Sequence, residues 1–166
     1  MAMTTVSGSE TIAAYRLLEA VPPGSPVFID TNVLIYASFP ELSLSNVARH
    51  RLNALRGREL PVWTSRQVLR EFLATATRPG TLSSMAPVHS IMEALHLWAD
   101  QLTIAEEDAE VTQHLLALLV SPGARGKQVH DANIVATMRR YGIHYLLTHN
   151  GSDFTRYAPG ITVLPL

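Results

Sequence analysis

The stretch VFIDTNVLIY, residues 27–36, joins two apolar segments through one carboxylate. Val27, Phe28 and Ile29 are β-branched or aromatic and read as a short buried strand. Val33, Leu34, Ile35 and Tyr36 read as the apolar opening of a helix that begins at Thr31. Asp30 stands between them. Aspartate is a favoured helix N-cap, because its side chain accepts from the orphan N–H groups of the first turn. A carboxylate at the junction of two core elements is also costly unless something cationic compensates it. The two readings of Asp30 are compatible.

Outward from this stretch, short apolar runs alternate with amphipathic ones. LPVWTS (60–65), LTIA (102–105), HYLLT (144–148) and ITVLP (161–165) read as further strands. Helical patterns fall at residues 42–55, 65–77, 86–100, 106–120 and 129–142, the last closed by Gly142. Thr64 and Gln67 have the spacing of a capping box ahead of the 65–77 helix. This alternation predicts βαβ units, hence a parallel sheet with helices on both faces. Sites in such folds form at the carboxyl ends of the strands. VPPGSP (21–26) is a turn by its Pro and Gly content. It separates a helical segment over residues 10–20 from the rest. Residues 1–25 are thus expected to form an N-terminal extension and linker, and 26–166 a single domain.

Composition excludes several function classes. At 47% hydrophobic and 16% charged, the 166 residues can bury a real core. The absence of cysteine removes disulfides and thiolate metal sites, and it suits a cytoplasmic protein. No apolar run approaches the ~20 residues that span a bilayer, and the N-terminus lacks a signal-peptide pattern. A net charge of -1 argues against nucleic-acid binding by bulk charge. Any such role needs a local site. There is no P-loop, no G-x-G-x-x-G, no G-x-S-x-G and no H-E-x-x-H among the irregularly spaced histidines.

Acidic residues recur where the pattern predicts strand ends and inward helix faces. Glu71 in VLREFLATA sits at the edge of the stripe made by Val68, Leu69, Phe72 and Ala76. A helical glutamate there also suits a solvated flank. Asp131 in VHDANIVATMRRYG precedes Ile134 and Val135 by three and four residues and points with them, in a first turn where the helix dipole favours a carboxylate. Asn133 reads as a hydrogen-bonding neighbour. LLTHNGSDF places Thr148, Asn150 and Asp153 at a strand's carboxyl end, in a stretch that is also a turn former. Clustered carboxylates without cysteine suit a hard divalent cation, Mg2+ or Mn2+. Arg66, Arg70, Arg78, Arg125, Lys127 and Arg156 lie near these motifs and could form a phosphate-tracking rim. His130 and His149 adjoin them.

FIDTNVLIYA, REFL and VHDANIVATMRRYGIHYLLTHNGSDF together resemble the PIN domain, most closely the VapC-type toxin ribonucleases of bacterial toxin–antitoxin pairs. The resemblance runs from Val27 to Leu166. It implies a three-layer α/β/α fold around a central parallel sheet, and a Mg2+- or Mn2+-dependent endoribonuclease restrained by a small antitoxin. Asp30, Glu71 and Asp131 match the acidic triad of that family. The fourth acidic position falls in THNGSDF, on Asn150 or Asp153. Carboxylates are the stronger Mg2+ ligands, so Asp153 is expected to be the ligand and Asn150 its orienting neighbour. Thr31, Asn32 and Thr148 are expected beside substrate or ligands, with Thr148 within reach of Asp30. The chemistry implied is metal-assisted attack of water on an RNA phosphodiester. By the same resemblance, a homodimer is expected, with IMEALHLW and VARHRLNALR as apolar docking faces. A stand-alone PIN nuclease in RNA processing and a catalytically silent PIN binding module are the alternatives. The intact acidic set argues against the latter.

Overall fold

The computed structural model of the chain describes residues 17–79, 86–120, 124–158 and 160–166. Five strands form one parallel sheet: β1 (Val27–Ile29), β2 (Val62–Ser65), β3 (Thr103–Ala105), β4 (Tyr145–Thr148) and β5 (Thr162–Pro165). Their spatial order is β3-β2-β1-β4-β5. β1 is central and fully buried, in register with β2 through Val27 and Val62 and with β4 through Ile29 and Leu147. Helices α1 (Thr31–Ser38) and α2 (Ser45–Gly57) connect β1 to β2, and α3 (Arg66–Ala76) and α4 (Val88–Gln101) stand between β2 and β3. Helices α5 (Ala109–Val120) and α6 (Gln128–Arg140) stand between β3 and β4, and a short α7 (Gly151–Phe154) precedes β5.

This order has a physical consequence. The chain steps from β1 to β3 in one direction, then returns past β1 to β4 and β5. Right-handed crossovers therefore put α1 to α4 on one face and α5 to α7 on the other. The packing agrees: α1 touches α2 and α3, α3 touches α4, while α6 touches α5 and α7. The reversal lies between β1 and β4, where the flanking helices diverge and leave a crevice at the strands' carboxyl ends. The expected three-layer α/β/α fold with a central parallel sheet is the one observed.

The elements differ from their expected bounds in ways that packing explains. The helix expected at 42–55 begins at Ser45, after a turn in which Ser45 N–H donates to Leu42 O. The expected capping box of Thr64 and Gln67 does not form, and the N-cap falls one residue later. Thr64 belongs to β2 and donates to Ile29 O, and Ser65 caps α3 by accepting from Val68 N–H. The expected N-terminal helical segment lies largely outside the described residues, of which 17–19 are helical. Leu18 and Val21 are buried in the core, and the Arg58 guanidinium donates to both of their carbonyls. Of the two apolar faces expected to dock partners, α2 turns Ala48, Leu52 and Leu55 into the core, whereas α4 leaves Met92 and Leu97 half exposed.

Helix α3 is anchored by Phe72, which is fully buried and stacks on Phe39 at 6.2 Å between ring centroids. Phe72→Ala is expected to lower stability by about 3–5 kcal/mol through lost burial and a residual cavity. The shift of the urea unfolding midpoint measures it.

Candidate active site

Asp30 sits where β1 ends and α1 begins. Its backbone N–H donates to Leu147 O at 3.1 Å, which continues the β1 pairing with β4. Its side chain is the N-cap of α1, accepting from Thr31 N–H at 2.6 Å. The other oxygen accepts from Asn32 Nδ2 and from the Thr148 hydroxyl, each at 2.6 Å. Thr148 ends β4, so this contact spans the crevice at which the sheet reverses. Asn32 Nδ2 also donates to Thr148 Oγ1, Asn32 Oδ1 accepts from His149 N–H, and Asn150 N–H donates to Thr148 Oγ1. Asp30 is 6% exposed, and burial is the main influence raising its pKa above the ordinary carboxylate value. Hydrogen bonds from Thr148, Thr31 and Asn32 oppose that rise, while the charge of Glu71 adds to it.

Glu71 reaches the same cleft from α3. Its Oε2 accepts from the Thr31 hydroxyl at 3.0 Å, and its Oε1 accepts from Gln67 Nε2 at 2.7 Å. His130 Nδ1 stands 3.5 Å from Oε1. Asp131 enters from the first turn of α6, on the other face of the sheet. Its carboxyl is pushed up to about 6, first by burial, then by the charges of Asp153, Asp30 and Glu71, with His130 opposing. All four acidic residues expected in the site therefore share one electrostatic field.

The cleft has a volume of about 870 Å³ and is lined by Asp30, Thr31, Asn32, Glu71, Asp131 and Asn150 together with apolar residues such as Ile35 and Leu42. Asp153 is in the first turn of α7, exposed, and does not line it, whereas Asn150 is the N-cap of α7 and does. Arg78 and Lys127 line the cleft. Three of the other four candidate rim residues are engaged elsewhere: Arg66 pairs bidentately with Glu106, Arg70 with Glu107, and Arg156 donates to Gln128 Oε1. Their proximity in sequence does not become proximity to the cleft, because α3 turns Arg66 and Arg70 toward the acidic segment after β3. Tyr36 lines the cleft and meets the exposed His149 ring edge-on, at 5.5 Å between centroids.

The donor set consists of hard oxygens, which suits Mg2+ or Mn2+. Burial first, and then the neighbouring carboxylates, raise the Asp131 carboxyl. Among the described residues, no three Asp, Glu or His side chains yet converge on one point. Like-charge repulsion opposes convergence, and the oxygens of Asp30 and Glu71 are turned to Thr31, Asn32, Thr148 and Gln67. The residues fit a divalent cation chemically, with side-chain rotation needed to close the set.

The PIN domain model matches residues 27–159, opening on the first residue of β1. The chain belongs to the PIN domain family. Solved PIN structures share its fold. VapC20 of Mycobacterium tuberculosis, a sarcin–ricin loop cleaving toxin, is 20% identical, with 82% of this chain and 96% of that one covered and a TM-score of 0.61. VapBC2 from Rickettsia felis, bound to a promoter DNA fragment, gives 18% identity, 85% and 98% coverage and a TM-score of 0.62. VapBC-1 from nontypeable Haemophilus influenzae gives 18%, 84%, 97% and 0.60 in the same order. No curated protein matches the sequence. No helix among the described residues is long and apolar enough to cross a membrane.

The raised Asp131 carboxyl makes stability depend on pH. A folded-state pKa of about 6 against an ordinary 3.8 means that the folded protein holds this proton more tightly than the unfolded chain. The stabilising contribution is complete below 3.8 and is lost as pH rises through about 6. Buried Asp30 acts in the same direction. In chelator-containing buffer, Asp131→Asn is expected to raise Tm at neutral pH and to reduce its decline between these two pH values. Thermal unfolding across that window, wild type against variant, checks the prediction.

Proposed function

We propose that this PIN domain is a Mg2+- or Mn2+-dependent endoribonuclease of the VapC toxin type, acting in the cytoplasm and restrained by a small antitoxin. The observation that carries the reading is the meeting of carboxylates from β1, α3 and α6 in one cleft, with Asp131 raised to about 6 by burial and by its acidic neighbours. Carboxylates perturbed by burial and by one another in a cleft mark candidate functional sites. The fold likeness to VapC toxins and to VapBC complexes supports the toxin and antitoxin parts of the reading. A homodimer is part of the proposal, and the half-exposed Met92 and Leu97 on α4 are compatible with it.

Asp30, Glu71, Asp131 and Asp153 are the residues that would hold the cation. Bound there, a divalent cation supplies Lewis acidity that activates water and offsets charge on phosphoryl oxygens. The chain's own residues prepare the site. Thr31 N–H, Asn32 and Thr148 hold both Asp30 oxygens in one orientation at the end of β1. Thr31 couples it to Glu71 by donating its amide to Asp30 and its hydroxyl to Glu71. With its carboxyl pushed up to about 6, Asp131 is still mostly ionised at neutral pH and available as a ligand. Lys127 and Arg78 are placed to meet the RNA backbone, which answers the objection from net charge. Asn150, on the cleft wall, orients Asp153 or the substrate.

Asp131→Asn is expected to abolish cleavage of a panel of structured RNAs in Mg2+, a loss beyond the 10- to 100-fold typical of outer-shell changes, while the circular dichroism spectrum is kept. Full activity in the folded variant would overturn the mechanism. A Mg2+ titration of two further variants separates the fourth position. Asp153→Asn is expected to shift the metal dependence to higher concentration and Asn150→Ala to lower turnover without that shift. The reverse pattern exchanges their roles.

A further inference from the structure

Gln67 and Asn133 have no part in the chemistry outlined above, yet their side chains are joined to its centre. Gln67 is 6% exposed and lies one helical turn ahead of Glu71. Its Nε2 donates to Glu71 Oε1 at 2.7 Å and to the main-chain carbonyl of His130 at 3.0 Å. Its Oε1 accepts from Asn133 Nδ2 at 2.5 Å. A carboxylate and a carbonyl can only accept, so the NH2 end of the amide must face them and the oxygen must face Asn133. Both amide protons and the carbonyl are thus used. The partners lie on two elements: Glu71 on α3, and His130 and Asn133 on α6, to either side of Asp131. One buried amide therefore ties the α3 carboxylate to the turn of α6 that carries Asp131, between helices on opposite faces of the sheet.

We infer that Gln67 is a positioning residue of the cation site: it sets the reach from Glu71 to Asp131 by cross-linking α3 to the first turn of α6, with Asn133 holding its amide in register. The inference rests on the cation-binding reading of the cleft. Without the amide, Glu71 keeps only the Thr31 hydroxyl and the neighbouring His130 as side-chain partners and regains rotamer freedom. A buried glutamine that merely filled space would be replaceable by any side chain of its size.

Gln67→Met separates the two cases, because it preserves length and volume and removes every hydrogen bond. Mn2+ binding to the full chain, followed by electron paramagnetic resonance, reads the site without RNA. The expected result is about 10- to 100-fold weaker Mn2+ binding, the range for partners that orient metal ligands. The Mg2+ concentration for half-maximal cleavage rises by a similar factor, and maximal turnover falls less. In a Glu71→Gln background, Gln67→Met is expected to add less than about twofold, since its carboxylate target is gone. Should Gln67→Met not fold, Gln67→Asn serves instead: it keeps an amide but is one methylene too short to span Glu71 and His130. Wild-type Mn2+ affinity in the folded variant, with Asp131→Asn still abolishing binding, overturns the role of Gln67 and leaves the cation site standing. A full additional loss in the Glu71→Gln background also overturns it, by exposing a general structural effect. No Mn2+ binding by the wild type overturns the cation reading itself, and this inference with it.

Discussion

The hydrogen bond from Thr148 to Asp30 joins the ends of the two strands between which the sheet reverses direction. At that seam the backbone ladder of β1 and β4 runs out, and the helices that follow leave toward different faces. The last pairing is made by the Asp30 amide to Leu147, after which side chains take over. A buried carboxylate here accepts from three donors at once, a main-chain amide, an amide side chain and a hydroxyl. This one group caps a helix, closes a strand pair and opens a cleft. Replacing it would disturb all three.

Every other acidic residue of the site is placed relative to that seam. Thr31 extends it to Glu71, Gln67 extends Glu71 to α6, and α6 delivers Asp131. The assembly brings negative charge together faster than the fold supplies positive charge to offset it. Burial and then the neighbouring carboxylates raise the Asp131 carboxyl, while Asp30 is satisfied mainly by neutral donors. Lys127 and Arg78 stand on the cleft lining.

Much of the site was legible because its residues occupy strand ends and helix faces that periodicity marks. Asp30 interrupts two apolar runs, and Asp131 falls in phase with Ile134 and Val135, so both could be placed before any tertiary contact was known. Glu71 was less distinct, since a residue at the edge of an apolar stripe reads equally as a solvated flank. Gln67 was assigned to a capping box with Thr64. Its partner across the sheet is 66 residues away in Asn133, and no local pattern announces such a contact. The spacing of Gln67 to Glu71, one turn on the same helix face, was the available signal. The arginines of α3 show the opposite failure. They lie beside Glu71 in sequence, but the helix points Arg66 and Arg70 at Glu106 and Glu107 instead.

The amino-acid sequence by itself determined the alternation of strands and helices, the parallel sheet and the inward direction of Asp30 and Asp131. Hydrophobic periodicity and turn chemistry are local, and a single chain displays them in order. Only the tertiary structure decided which acids meet, because that depends on strand order. With β1 between β2 and β4, the carboxyl end of β1 faces α3 on one side of the sheet and α6 on the other. It also decided that Asn150 lines the cleft while Asp153 stands beside it, and that Gln67 spans the crevice. Those outcomes turn on distances between elements remote in sequence, which residue type and spacing do not encode.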